Sequence, residues 1–201
     1  METKNSKLNE NNLTERVCIF IDGSNFYYST AKKGKRVNFQ ELISELIGNR
    51  SLVNVYYYVA PLDIEADQEK YWSHQRFLDK LRQIPKFKVI LCTLKKIKAL
   101  DNKYIYVVKG DDVKMSNTLL MGAVDNLYDV AIVISGDEDF IDSINIVRKR
   151  YKKKIGNAYF SKSSSSNLRK ACDFTINLDK ILNKLIDENE SSALSKDHTE
   201  H

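Results

Sequence analysis

Short apolar runs alternate along this chain with longer stretches in which apolar residues return every three or four positions, the periods that mark strands and helices. Residues 17–21 (VCIFI) read as a first strand, followed by helical stretches near 24–33 and 39–48 and a second strand within 51–60 (SLVNVYYYVA). Residues 66–84 read as a long amphipathic helix in which Trp72, Phe77, Leu78 and Leu81 share a face. The strand FKVILC comes next, and residues 94–109 alternate like a hairpin turning at Asp101 and Asn102. A helix at about 112–127, the apolar run 130–134, a helix at 138–151 and a strand at 154–160 follow. A Ser-rich turn with a short helix, a strand at 173–178 and a closing helix to about 188 complete the series. Strands separated by helices imply an α/β fold with a mainly parallel sheet covered on both faces, because parallel neighbours need crossover connections. Residues 1–15 read as a flexible N-terminal tail, 16–188 as one domain and 189–201 as a polar C-terminal tail.

Length and composition agree with that organisation. The 201 residues suffice for one domain with a substantial core, and 42% hydrophobic with 29% charged residues is a globular balance. The apolar runs are far shorter than the ~20 residues of a membrane helix, and the N-terminus lacks the apolar segment of a signal peptide, so the expectation is a cytoplasmic protein with no membrane partner. Cys18, Cys92 and Cys172 are odd in number and lack metal-ligand spacing, which points to buried free thiols. The formal charge of +5 fits an anionic partner without requiring one. Its distribution is more telling: Lys32, Lys33, Lys35 and Arg36 form one cluster, Lys95, Lys96 and Lys98 another, and Arg148 to Lys154 a third.

In open parallel sheets, ligands bind at the carboxyl ends of strands where the chain order reverses. The residues there are Asp22-Gly-Ser-Asn25 after VCIFI and Ser135-Gly-Asp137-Glu-Asp139 after VAIVI. One carboxylate at such a place serves equally well as a helix cap. Two acidic strand ends side by side repel, and an external cation offsets that repulsion. Hard carboxylate oxygens with no histidine or cysteine nearby favour Mg2+ or Mn2+ over zinc; His74 lies in the long helix, and His198 and His201 in the tail. DGSNFYY lacks the G-x-G-x-x-G spacing of a dinucleotide site, and no G-x-x-x-x-G-K-[ST] occurs. A phosphatase of the haloacid-dehalogenase type needs an aspartate two residues after Asp22, where this chain has Ser24.

The series IDGSN, KGDDVKMSNTLL, YDVAIVISGDEDF and SSSNLRKACDFTINL resembles the motif series of the NYN domain, a branch of the PIN-like nucleases, over roughly residues 16–180. The resemblance implies a three-layer α/β/α sandwich and metal-dependent cleavage of RNA. It assigns catalytic roles to Asp22, Asn25, Asp112, Asp137 and Asp139, with the four aspartates holding Mg2+ or Mn2+. Many relatives carry a further aspartate in the central helix where this chain has Thr118, while Asp111 adds a carboxylate beside Asp112; the two diverge by ~100° on a helix, and Asp112 is ranked first. Ser135, Lys109, Lys114 and Arg148 are candidates for contacting RNA, and Phe26, Tyr27 and Tyr28 for stacking on bases, although such aromatics are commonly core. The competing reading is a non-catalytic RNA-binding or regulatory scaffold that retains the acidic pocket, with Thr118 as its support. A homo-oligomer is compatible with the sequence and not required by it.

Overall fold

The computed structural model describes residues 14–31, 37–98 and 104–185. Most of the expected N-terminal tail, the C-terminal tail, the Asp101-Asn102 turn and the cations at 32–36 lie outside the described residues. Strand β1 (Arg16–Asp22) leads into α1 (Gly23–Ala31) and α2 (Phe39–Ile47), then β2 (Ser51–Val59), α3 (Gln68–Arg82) and β3 (Phe87–Leu91). The ribbon β4 (Thr93–Lys98) and β5 (Tyr104–Lys109) precedes α4 (Asp111–Val124) and β6 (Val130–Ile134). A single 3-10 turn, Glu138–Phe140, opens α5 (Ile141–Tyr151), followed by β7 (Lys154–Tyr159), α6 (Ser166–Ala171), β8 (Phe174–Asn177) and a helix at 178–185, α7.

Six strands form one sheet in the order β3-β2-β1-β6-β7-β8, and every pairing within it is parallel. β4 and β5 pair only with each other, antiparallel, as the alternating sequence predicts. Because β1 and β6 carry unbroken apolar runs, both faces of the sheet are buried. Val17, Ile19 and Ile21 point to one side, into a core with Phe26, Phe39, Leu42, Leu78 and Leu182 from α1, α2, α3 and α7. Cys18 and Phe20 point to the other, into a core with Met115, Leu119, Ile144 and Leu168 from α4, α5 and α6. The result is the three-layer α/β/α sandwich. The three cysteines are free, two of them buried. Among the described residues no helix is long and apolar enough to cross a membrane.

Trp72 departs from expectation. Leu78 and Leu81 are buried and Phe77 packs against the core, but Trp72 is 48% exposed. Six residues before Leu78, at ~100° per residue, it stands ~240° around the helix from the buried stripe.

The order of the chain decides where a site can form. From β1 the chain moves outward through β2 to β3, then returns along the opposite face to place β6 on the other side of β1. The carboxyl ends of β1 and β6 are therefore adjacent at the switch point, with Ile21 paired to Ile134.

Candidate metal centre

Three chain segments meet at that edge. β1 delivers Asp22 at its last position, and Gly23 follows because a side chain there has no room: a Cβ at Gly23 falls 2.4 Å from the Tyr58 carbonyl oxygen and 2.9 Å from the Tyr57 ring. Asp22 Oδ1 accepts the Asn25 amide at 2.9 Å, which starts α1, and Oδ2 accepts the Ser135 hydroxyl at 3.0 Å. Ser135, at the end of β6, is 2% exposed, and its oxygen also accepts the Asp137 amide at 3.1 Å. One hydroxyl thus clamps the ends of β1 and β6 together. Asp137 in turn accepts the Asp139 amide at 3.0 Å, fixing the tight turn that points both carboxylates the same way.

The third segment is the start of α4, where Gly110 takes a left-handed conformation (φ 80°) that turns β5 into the helix. Asp111 and Asp112 form its first turn, where the helix dipole favours negative charge. Ligand oxygens of Asp112, Asp137 and Asp139 lie within 4.8 Å of one another. Asp112 joins this trio and Asp111 does not; Asp22 is its neighbour, with both oxygens already accepting hydrogen bonds. The electrostatics register the crowding. Burial, then the charges of Asp111, Asp137, Asp22 and Asp139, push the Asp112 carboxyl up to about 6. Burial also raises Asp22, against the lowering effect of the Asn25 amide and the Ser135 hydroxyl.

The donor set is oxygen only, concentrated and short of positive charge, which fits a hard divalent cation and offers nothing to select zinc. A measurable consequence is the pH dependence of the cation-free fold. A carboxyl at about 6 in the folded state, against ~3.9 unfolded, makes the folded protein hold the extra proton between those values. Its stability contribution is therefore present at low pH and lost as pH rises through about 6. Half-buried His74, whose basicity is lowered by desolvation, acts in the opposite direction in the same range. Comparison with Asp112→Asn cancels the histidine. In chelator, the variant should melt above the wild type at pH 7, with the gap roughly halved at pH 5 and closed only near pH 4; a gap independent of pH contradicts the crowding.

The remaining candidates divide. Lys109 ends β5 beside α4, and Lys114 extends from α4 to the Leu91 carbonyl at 2.7 Å, so both stand at the carboxyl edge near the aspartates. Arg148 is not brought there. Near the far end of α5, it donates to the Ala171 carbonyl and pairs with Asp173, which also accepts the Ile155 amide at the start of β7. That is the amino edge of the sheet, so Arg148 braces the fold. Ser135, 2% exposed, has its hydroxyl engaged by the Asp22 carboxylate and the Asp137 amide, an arrangement that positions carboxylates. For Asn25 the backbone amide, capped by Asp22, carries the contact.

Two supporting features were not among the expected site residues. Asn157, fully buried in β7, donates to the Val133 and Ser135 carbonyls at 3.1 and 3.0 Å and holds the end of β6 in place. An amide within the apolar run KIGNAYF is the one signal that could have marked it. The serine loop is the second: Ser165 donates its amide to the Gly136 carbonyl, and Ser165 and Asn167 side chains hold Glu138.

A family model described as the NYN domain matches residues 16–179. The chain belongs to the NYN domain family. NYN domains are generally nucleases with a PIN-like fold, so a nucleic acid substrate and divalent-metal use are the family's coarse properties. A solved structure of a Vibrio parahaemolyticus protein of unknown function has the same fold, with a TM-score of 0.64 and 22% identity over 83% of this chain and 94% of that one. No curated protein matches the chain.

At Thr118, where the sequence resemblance leads us to expect a further helix aspartate, the hydroxyl donates to the Lys114 carbonyl at 2.8 Å, beside the buried Tyr58 hydroxyl. Thr118→Asp is expected to lower the divalent cation concentration that half-saturates the site, read by titration calorimetry. An unchanged concentration would mean that Tyr58 captures the new carboxylate.

Proposed function

We propose that this NYN domain is a metal-dependent ribonuclease that hydrolyses RNA phosphodiester bonds at an aspartate-held Mg2+ or Mn2+ site. The observation that carries the reading is the convergence of Asp112, Asp137 and Asp139 within 4.8 Å at the switch point of the sheet, with Asp22 alongside. A divalent cation bound there supplies an acidified water and offsets negative charge on the phosphate.

The chain's own groups have distinct parts in this reading. Asp112, Asp137 and Asp139 are the holding carboxylates, and Asp22 adds field and a clamped second layer through Ser135. Lys109 and Lys114 stand at the same edge, where positive charge attracts the phosphate backbone and offsets the acidic pocket's repulsion of RNA. Asn157 and the Gly136 turn keep Asp137 and Asp139 in register, which matters because small misplacements of charged groups cost large factors in rate.

The test is cleavage of labelled single-stranded RNA by purified protein with Mg2+, with Mn2+ and with chelator. Cleavage that depends on the cation and falls about 10²–10³-fold in Asp137→Asn supports the enzyme. RNA binding without cleavage under all three conditions would favour the scaffold, the reading to which Thr118 in place of a carboxylate lends support.

A further inference from the structure

Beside the carboxylates, on the opposite face of the sheet from α4, a cleft of about 560 Å³ opens between α1 and α3. Phe26, Phe39 and Tyr57, nearly inaccessible, form its floor. Its mouth is made by Tyr27, 62% exposed, and by the α3 stripe Arg76, Phe77 and Lys80. These three residues fall on one side of α3 because positions three and four apart share a helix face. Arg76 and Lys80 are exposed, and neither side chain makes an ion pair or hydrogen bond with another described residue.

Three observations fit one kind of occupant. The cleft volume lies in the range of sites for small organic groups. An aromatic wall beneath two unengaged cations suits a flat, apolar ring that carries a phosphate. The cleft lies close to the acidic site, because the Tyr57 ring in its floor lies against Gly23, the residue after Asp22. Tyr27 is five residues beyond Asp22 on α1, about 7 Å at ~1.5 Å per residue. That is within the reach of a neighbouring nucleotide.

We propose that this cleft holds an unpaired nucleobase of the RNA substrate next to the bond that is cut, with Tyr27 and Phe77 against the base and Arg76 and Lys80 on the flanking phosphates. The proposal rests on RNA being the substrate and concerns where an unpaired base is seated; a base within a duplex is stacked between its neighbours and closed to the aromatic wall. The stacking contribution is tolerant of base identity, so the cleft selects strandedness more than sequence.

The experiment measures binding in chelator, so that it does not depend on cleavage. A fluorescent single-stranded 12-mer and the same strand in duplex are titrated by anisotropy with wild type, Tyr27→Ala, the double variant Arg76→Ala/Lys80→Ala, and Trp72→Ala as a control on the same helix. Tyr27→Ala should weaken single-strand binding about 5–50-fold. The double variant should weaken it and flatten its dependence on salt, by a slope of ~0.7 for each phosphate that the two cations neutralise in the wild type. Trp72→Ala should bind as wild type. Because Tyr27 and both cations are exposed, the variants should fold, which their melting curves check.

Wild-type affinity retained by both cleft variants would overturn the proposal, as would absence of single-strand binding by the wild type. Duplex binding that depends on Tyr27 to the same degree would overturn the unpaired-base assignment. If the cleft variants lose binding while the wild type with Mg2+ or Mn2+ never cleaves, the cleft stands and the ribonuclease reading falls.

Discussion

Asp137→Asn is expected to lower RNA cleavage by about 10²–10³-fold, while changing RNA affinity little and leaving the melting temperature level or higher. The change removes one negative charge and nearly preserves side-chain volume. It takes away one of three carboxylates that converge within 4.8 Å, and an electrostatic contribution of ~3–4 kcal/mol to the transition state corresponds to that loss in rate. Binding is spared because the phosphates are assigned to cations and not to the carboxylates. Stability is spared because Asp112 loses a repelling neighbour, and the asparagine side-chain oxygen still accepts the Asp139 amide. Cleavage, anisotropy and melting on one preparation check the three parts together. Wild-type cleavage would remove Asp137 from the catalytic set, and an unfolded variant would make it structural.

The second large effect is Gly136→Ala, which is expected to destabilise the fold by roughly 1–3 kcal/mol and to abolish most cleavage even well below the melting point. A Cβ at this position falls 1.7 Å from the Ser163 carbonyl oxygen, 2.8 Å from its carbon and 3.1 Å from Ser164 Cα. All three are backbone atoms, so no side-chain rotation relieves the overlap. If the serine loop retreats, it gives up the Ser165 amide bond to Gly136 and the grip of Ser165 and Asn167 on Glu138. If the turn retreats, Asp137 and Asp139 move with it. For a domain of this size the melting temperature should fall by about 2–4 °C per kcal/mol. A variant that melts and cuts like the wild type would show that the loop yields freely.

The architecture was legible because strand and helix periods in this chain are clean: runs such as VCIFI and VAIVI are buried on both faces, and only a covered parallel sheet accommodates them. Acidic residues directly after those runs marked the site edge for the same reason. Side-chain phase was less legible. Arg148 follows Asp139 by nine residues, ~14 Å along a helix, and that carries it to the opposite edge of the sheet. Trp72 sits in an amphipathic window, but its own phase turns it outward. The role of Ser135 depends on a bond between two strand ends 113 residues apart, which no local pattern reveals. The cleft between α1 and α3 was likewise invisible, since its walls come from two helices with a further helix and a strand between them in the chain.

That same separation of 113 residues bears on how the protein comes to be active. β1 is made early and waits for β6, its partner on one side, until the hairpin ribbon and α4 have been synthesised. Closing a loop of that length costs ~4 kcal/mol in chain entropy before the pairing returns anything. The pocket depends on the central β1–β6 pairing of the sheet and cannot form without it. A chain that stops before β6 holds Asp22 without Asp137 and Asp139, so the acidic centre comes into being only once β6 and the turn after it have joined β1.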